Sequence, residues 1–152
     1  MAISHLEHFL VLTDDLEATR DFYRDVLGLT VGARPPLAFL GYWLYAGGMP
    51  CVHIAERASY NASSAPAGIP VSARAPGTGP FDHAAFIAHD FEEMSARLAR
   101  HGVPAHLNVV PNGLRQLFVL DPNGIKIEIN FPPESPADRN RSLRGRTGGA
   151  RT

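Results

Sequence analysis

The sequence has little cysteine, little net charge and no long apolar run, and each shortage excludes a class of protein. Its single cysteine, Cys51, excludes an internal disulfide. A net charge of −1 gives no electrostatic reason to bind nucleic acid or an anionic membrane. No apolar run approaches the roughly 20 residues of a membrane-spanning helix, and the N-terminus has neither the basic nor the apolar region of a signal peptide. We therefore expect a cytoplasmic protein.

What is present is the composition of one globular domain. Of the 152 residues, 45% are hydrophobic and 19% are charged, which are ordinary values for a folded domain. Turn-forming residues are concentrated at 57–80, which predicts a linker between two halves. Residues 132–152 contain prolines and five arginines without a core-forming pattern, which predicts a tail. The predicted domain spans 1–131, with a first module at about 3–56 and a second at about 81–131.

Four residues that can ligate a metal recur at one spacing. His8 and His53 are 45 residues apart, as are His83 and Glu128, so an offset of 75 residues relates the two pairs. Two copies are too few for a solenoid, so the repeat predicts two similar modules in one domain. Three imidazoles and a carboxylate suit Fe, Mn, Ni, Co or Zn, and we expect these four residues to hold one such divalent ion.

Both halves show the same order of predicted elements. A strand at 5–13 precedes a helix capped by Asp14 or Asp15, and a strand at 82–88 precedes a helix capped by Asp90. Further strands are predicted at 37–46, 50–56, 104–110, 115–120 and 125–131. The last strand alternates apolar and polar residues, which places the glutamate of the repeat on the face opposite the isoleucines.

The repeated segments resemble the vicinal oxygen chelate superfamily, the group of glyoxalases, bleomycin-resistance proteins and extradiol dioxygenases. The stretches that carry the resemblance are HFLVLTDDLEATRDFYRDVLGL, WLYAGGMPCVHIAE, DHAAFIAHDFEEMSARLARHGV and FVLDPNGIKIEINF. The resemblance implies an α+β fold of paired βαβββ modules whose strands form a curled mixed sheet around a metal site. It also implies a homodimer, since many members are dimers and some build the site from two chains.

The resemblance also assigns roles to individual residues. His8, His83 and Glu128 match metal ligands, and His53 stands where glyoxalase I enzymes have a glutamate that serves as ligand and base. His53 and Glu128 are therefore the candidate catalytic residues, and His53 departs from the glyoxalase pattern. Phe118 replaces a tyrosine of the extradiol dioxygenases. The side chains expected to flank the ligands and bind substrate are Phe39, Trp43, Tyr45, Arg115, Gln116 and Phe118.

The leading functional interpretation is a metal-dependent enzyme that chelates a small substrate through two adjacent oxygens. Its reaction would be glyoxalase-like isomerase or lyase chemistry, with the metal as a Lewis acid. One alternative is an Fe(II)-dependent extradiol dioxygenase, for which two histidines and a carboxylate suffice. Another is a non-catalytic protein that binds or sequesters a small molecule such as a drug. The sequence leaves these three open, together with the identity of the metal.

Overall fold

The chain folds into two sheets of the same topology. The computed structural model describes residues 5–70 and 78–133, and within these ranges each module has a four-stranded mixed sheet. The strands of module one are β1 (Phe9–Thr13), β2 (Thr30–Gly32), β3 (Gly41–Ala46) and β4 (Met49–Glu56). Those of module two are β5 (His83–Ile87), β6 (His106–Val109), β7 (Arg115–Leu120) and β8 (Lys126–Phe131). The strand orders are β1-β4-β3-β2 and β5-β8-β7-β6, with β1 parallel to β4 and β5 parallel to β8. The predicted α+β fold of two βαβββ modules is confirmed.

A helix follows the first strand of each module and begins at an aspartate. The helices of the described ranges are α1 (Leu16–Asp21), extended by a π-helical segment (Phe22–Val26), α2 (Arg57–Ser64), followed by a 3-10 turn (Ala65–Ala67), and α3 (Phe91–Arg100). The side chain of Asp15 accepts a hydrogen bond from the backbone N–H of Ala18, and that of Asp90 accepts from Glu93, each at 3.0 Å. These bonds satisfy N–H groups that a helix leaves free at its start. The predicted caps are therefore confirmed, with Asp15 rather than Asp14 in the first module.

Helix α2 differs from the sequence prediction, because its residues are the first part of the predicted linker at 57–80. The side chain of Glu56 accepts a hydrogen bond from the N–H of Ser59 at 3.2 Å and caps the helix. Arg57 donates to the carbonyl of Leu12 at 2.8 Å, which fixes the helix against β1. Contacts made far along the chain thus override a weak local propensity. Residues 71–77 of that linker and 134–152 of the predicted tail lie outside the described residues.

Module one differs from the sequence prediction at two strands, an additional short strand and a strand that starts later than predicted. Strand β2 was not anticipated, since three residues are too few to show alternation, and the strand predicted at 37–46 starts only at Gly41. A Cβ atom on Gly41 would lie 2.2 Å from the carbonyl oxygen of Ile54. Glycine therefore lets β3 start in close contact with β4.

The apolar faces of both sheets share one hydrophobic core. Its largest fully buried side chains include Tyr23, Leu44, Ile54, Leu98 and Ile127. The alternation predicted for β8 is confirmed, because its isoleucines are buried in this core and its polar residues lie on the other side of the sheet. We call that other side the open face of each module. None of the helices in the described ranges is long and apolar enough to cross a membrane.

Two hydrogen bonds connect the helix of module one to the turn between β7 and β8. The buried hydroxyl of Tyr23 donates to Oδ2 of Asp121 at 3.2 Å, and Nδ2 of Asn123 donates to Oγ1 of Thr19 at 3.1 Å. Burial, and then the charge of Asp121, hold the pKa of Tyr23 well above its ordinary value of 10. Oδ1 of Asp121 also accepts from the N–H of Ile125 at 2.8 Å. The turn is thereby fixed by bonds within module two and across to module one.

Candidate functional site

The open face of module two brings two predicted ligands together. Nε2 of His83 lies 3.1 Å from Oε2 of Glu128, because β5 and β8 are adjacent parallel strands. The side chain of Glu128 is 12% exposed and that of His83 is 35% exposed, so the pair is reached from the histidine side. Two ligands bound at about 2.1 Å and at a right angle lie about 3 Å apart. The separation within this module-two pair therefore suits two ligands of one ion.

A row of amides holds the other oxygen of Glu128. Oε1 accepts hydrogen bonds from Nε2 of Gln116 at 2.9 Å and from Nδ2 of Asn130 at 2.7 Å. Gln116 also donates to Oδ1 of Asn130 at 3.0 Å and accepts from Nδ2 of Asn108 at 2.7 Å. These three residues are register partners on β6, β7 and β8. The amide row orients the carboxylate and leaves Oε2 directed at His83, as hydrogen bonds commonly do for metal-binding carboxylates.

The open face of module one brings the other two predicted ligands together as stacked rings. The His8 and His53 ring centroids lie 3.8 Å apart, and Trp43, the register partner of His53 on β3, stacks on its other side at 4.0 Å. Nδ1 of His8 and Nε2 of His53 are buried and have no hydrogen-bond partner among the described residues. The carboxylate of Glu7 lies 3.3 Å from Nδ1 of His8 but outside hydrogen-bond geometry. Unpartnered buried nitrogens are uncommon, and an imidazole lone pair is a donor that divalent ions accept.

His53 is held in its neutral form. Burial lowers its pKa below the ordinary value of 6.5, and the nearby ring of His8 lowers it further, while a hydrogen bond to the backbone of Pro50 opposes the shift. Nε2 of His53 has no hydrogen-bond partner among the described residues. A ring whose pKa is lowered in this way favours the neutral form, in which such a nitrogen suits a metal ligand or a proton acceptor.

The four predicted ligands form two pairs rather than one cluster. Across residues 5–70 and 78–133, no three histidine, cysteine, aspartate or glutamate side chains lie close enough to hold one ion. In module one His8 directly precedes β1 and His53 lies on β4, whereas in module two His83 lies on β5 and Glu128 on β8, so the two pairs belong to different sheets. Each module of a single chain therefore supplies half of the predicted ligand set.

Three of the six predicted substrate-binding residues lie beside these pairs. Trp43 stacks on His53, and Gln116 belongs to the amide row. The ring of Phe118 meets that of His83 edge-on at 6.3 Å. Phe118 also lines a cavity of about 380 Å³ whose wall includes Lys126. Phe118 and Lys126 place this open cavity on the same face as the module-two pair, although neither His83 nor Glu128 lines it.

The other three predicted substrate-binding residues have different neighbours. Arg115 lies on the opposite face of β7, with its guanidinium 3.9 Å from the ring centroid of Phe91, because adjacent strand residues point to opposite faces. Tyr45 lines a different cavity of about 260 Å³, which both modules enclose. Phe39 packs edge-on against Tyr60 at 5.0 Å. Of these, Arg115 is separated from the module-two pair by the sheet itself.

Sequence reasoning missed several polar residues of the open face of module two. Asp82 contacts both His83 and Lys126, and hydrogen bonds from these two groups lower its pKa below the usual range. The alternation along β8 already predicts that Lys126 and Asn130 share the face of Glu128, but no role in the site was predicted for them. Asp82 directly precedes His83 in the sequence. The place of Asn108 and the contact of Asp82 with Lys126 depend on strand register, which the sequence does not specify. His106 also lines the 380 Å³ cavity.

The family model described as Glyoxalase/Bleomycin resistance protein/Dioxygenase superfamily matches residues 5–129. The chain belongs to this superfamily. The match includes both modules and all four repeated residues. The superfamily contains enzymes as well as non-catalytic binding proteins, and its members often depend on a metal. Membership therefore fixes the fold and leaves the reaction open.

Solved structures of the superfamily fold differ in function. Lactoylglutathione lyase from Agrobacterium tumefaciens has a TM-score of 0.65 and 24% identity, over 85% of this chain and 94% of that one. TnmS3, an antibiotic binding protein from Streptomyces sp. CB03234, has a TM-score of 0.60 and 24% identity, over 88% and 99%. The fosfomycin resistance protein FosX from Listeria monocytogenes has a TM-score of 0.61 and 18% identity, over 90% and 98%. At these identities the likeness shows the fold alone. A comparison with curated proteins gave no match.

Proposed function

We propose that this superfamily member is a divalent-metal enzyme whose site is completed in a homodimer. The module-one pair, His8 and His53, would come from one subunit and the module-two pair, His83 and Glu128, from the other. The observation that carries the proposal is the 3.1 Å separation of His83 and Glu128. Each of the two side chains is also held by a hydrogen bond on the side that faces away from the other. The unpartnered nitrogens of the module-one pair supply the remaining donors. Two histidines and a carboxylate already form a set typical of catalytic divalent ions.

The proposed reaction class is glyoxalase-like isomerase or lyase chemistry on a small substrate with two adjacent oxygens. When bound, the metal supplies Lewis-acid stabilisation of negative charge on those oxygens. Glu128 brings the negative charge of the ligand set, and the amide row keeps its carboxylate in one orientation. The cavity beside Phe118 holds the body of the substrate. His53 is assigned as a ligand, with proton transfer through its neutral Nε2 as the other role that its environment allows.

A second candidate function is binding of a small molecule without a metal. The rings of Trp43, His53 and His8 form a continuous stack. Such a stack offers an aromatic surface to a planar ligand. The similar protein TnmS3 is an antibiotic binding protein. The two candidates differ in one measurable property, which is the metal content of the protein.

Metal analysis of the anaerobically purified protein tests the proposal. We expect a tightly bound divalent ion in the wild type and at least about 10-fold weaker metal affinity in Glu128→Gln, which removes the anionic ligand. Glu92→Gln is the matched control, because Glu92 is exposed and pairs with Arg115 on the opposite face of the sheet. Wild-type protein without a tight metal site would contradict the proposal and favour the binding protein.

The same preparation separates the reaction classes and the role of His53. Nickel, cobalt or zinc would favour an isomerase or lyase, whereas iron together with oxygen consumption on catechols would identify the dioxygenase alternative. His53→Ala should lower metal affinity by about 10-fold or more if His53 is a ligand. Unchanged metal content with lost turnover would instead assign His53 to proton transfer.

A further inference from the structure

Two charged residues behind His83 are not explained by the ligand set. Nδ1 of His83, on the far side of the ring from Glu128, lies 2.7 Å from Oδ2 of Asp82. The same carboxylate oxygen lies 2.6 Å from Nζ of Lys126. Lys126 is the register partner of His83 in the parallel pairing of β5 with β8, and it is the single lysine of the sequence. His83 is thus placed between two carboxylates, one of which also holds an ammonium group.

We propose that Asp82 and Lys126 form a positioning pair that keeps the proton of His83 on Nδ1 and its Nε2 lone pair free for a divalent ion. The proposal rests on the proposed function, because it takes His83 as a ligand. It assigns roles to two residues that act on the metal through His83: Asp82 touches the imidazole ring and Lys126 touches Asp82.

The chemistry of the three groups supports this assignment. An ionised carboxylate only accepts hydrogen bonds, so the 2.7 Å contact requires that Nδ1 of His83 donate to Asp82. A neutral imidazole carries one N–H, and its Nε2 is then a lone pair that faces Glu128. Without Asp82, the carboxylate of Glu128 at 3.1 Å would be the acceptor left for His83, and the N–H would move to Nε2. That tautomer is unable to bind a metal through Nε2.

Lys126 has a different part in the pair. Its ammonium group fixes the oxygen of Asp82 that His83 uses, although the side chain of Asp82 is 69% exposed. It also balances the charge of Asp82, so the net negative charge around His83 comes from Glu128 on the side that faces the ion. Loss of Lys126 should therefore loosen the orientation of Asp82 without removing the acceptor for Nδ1.

The tautomer of His83 is measured directly in the metal-free protein by nitrogen NMR with ¹⁵N-labelled histidine. In the metal-free wild type at about pH 8.5 we expect the Nδ1–H form for His83, with its signals assigned by their loss in His83→Gln. Asp82→Ala should shift the ring towards the Nε2–H form. Asp82→Asn should restore the Nδ1–H form, because an amide oxygen also accepts a hydrogen bond. A wild-type ring in the Nε2–H form, or no change in Asp82→Ala, would overturn the proposal.

Titration with Co²⁺ tests the consequence for metal binding. Asp82→Ala should bind Co²⁺ about 10- to 100-fold more weakly than the wild type, as is typical when the outer partner of a ligating histidine is lost. Lys126→Met should show a smaller loss and an unchanged tautomer. Asp25→Ala, which removes an exposed aspartate paired with Arg24, is the control and should bind normally. Co²⁺ affinity of Asp82→Ala equal to that of the wild type would refute the positioning role while leaving the proposed function intact. A wild type that binds no Co²⁺ but shows the tautomer shift would instead refute the proposed function, and it would leave Asp82 in control of the His83 tautomer without a role in metal binding.

Discussion

At the scale of single residues, two neighbours on β7 lie on opposite faces of the sheet, and only one of them contacts the module-two pair. Gln116 donates to Oε1 of Glu128 at 2.9 Å, whereas Arg115 lies over the ring of Phe91 on the other face. We predict that Gln116→Met weakens the affinity for Co²⁺ by about 10-fold, because the carboxylate loses a donor that fixes its orientation. Arg115→Met should leave that affinity unchanged. Calorimetric titration measures both, and an equal loss in the two variants would contradict the assignment of Gln116.

A second prediction at this scale concerns the buried hydroxyl of Tyr23. Tyr23→Phe removes the bond to Asp121 and should lower the free energy of unfolding by about 1 to 2 kcal/mol at pH 7. Because the pKa of Tyr23 is raised in the folded state, the stability that its protonated form contributes is complete below about pH 10 and is lost as the pH rises further. Urea unfolding at pH 7 and above pH 10 measures both effects.

The matched control for Tyr23 is Tyr60→Phe, since Tyr60 is only half-buried and packs edge-on against Phe39. The wild type and Tyr60→Phe should lose stability above about pH 10 more steeply than Tyr23→Phe. The same alkaline slope in Tyr23→Phe as in the wild type would show that Tyr23 is not the titrating group.

At the scale of elements, the corresponding caps of α1 and α3 differ in backbone strain. Asp15 caps α1 with a φ of −124°, but Asp90 caps α3 with a φ of 59°, the one positive φ of a non-glycine residue in the described ranges. Aspartate tolerates this left-handed conformation better than alanine does. We predict that Asp15→Ala costs about 1 kcal/mol and that Asp90→Ala costs about 2 kcal/mol, since it loses a cap and adds strain.

Chemical denaturation of the two alanine variants measures this difference. Asp90→Gly is the informative third variant, because glycine removes the strain and keeps part of the capping preference. It should be more stable than Asp90→Ala. Equal stability of these two would indicate that the φ of 59° carries no cost.

Elements with local signals were predictable, and those that depend on distant contacts were not. The alternation of β8 and the aspartates before α1 and α3 lie within a few residues of the structures they specify, and both predictions are confirmed. Helix α2 depends on the bond from Arg57 to the carbonyl of Leu12. The local composition, rich in serine and asparagine, predicts a linker and carries no information about that contact. The amide row likewise depends on the register of β6 with β7, which no local pattern encodes.

At the scale of the whole molecule, the repeat predicts four candidate ligands. It does not predict whether the two modules that form one site belong to the same chain or to two chains. A mixing experiment decides between one chain and two. His8→Ala/His53→Ala lacks the module-one pair, and His83→Ala/Glu128→Gln lacks the module-two pair. We predict that neither homodimer binds Co²⁺ and that the heterodimer of the two variants binds a single ion, because one of its two sites is complete.

Heterodimers purified through two different affinity tags make this count unambiguous. Remixing each variant with itself is the control and should restore no binding. A heterodimer without Co²⁺, alongside a wild type that binds it, would place the four ligands in one chain. Sedimentation that shows a concentration-independent monomer would exclude the two-fold assembly on which the prediction rests.

A ribosome completes module one before module two, and the strand pairings determine what the first half can finish alone. Strand β1 finds its parallel partner as soon as β4 has emerged, so the first sheet can close early. The apolar face of this sheet cannot be covered at that stage, because its partners belong to module two. The ring centroids of Phe9 and Phe86 lie 6.1 Å apart, and the hydroxyl of Tyr23 bonds to Asp121. Until residue 121 leaves the exit tunnel, that face remains open to water. The nascent first half therefore presents apolar surface on which aggregation and chaperone binding can occur.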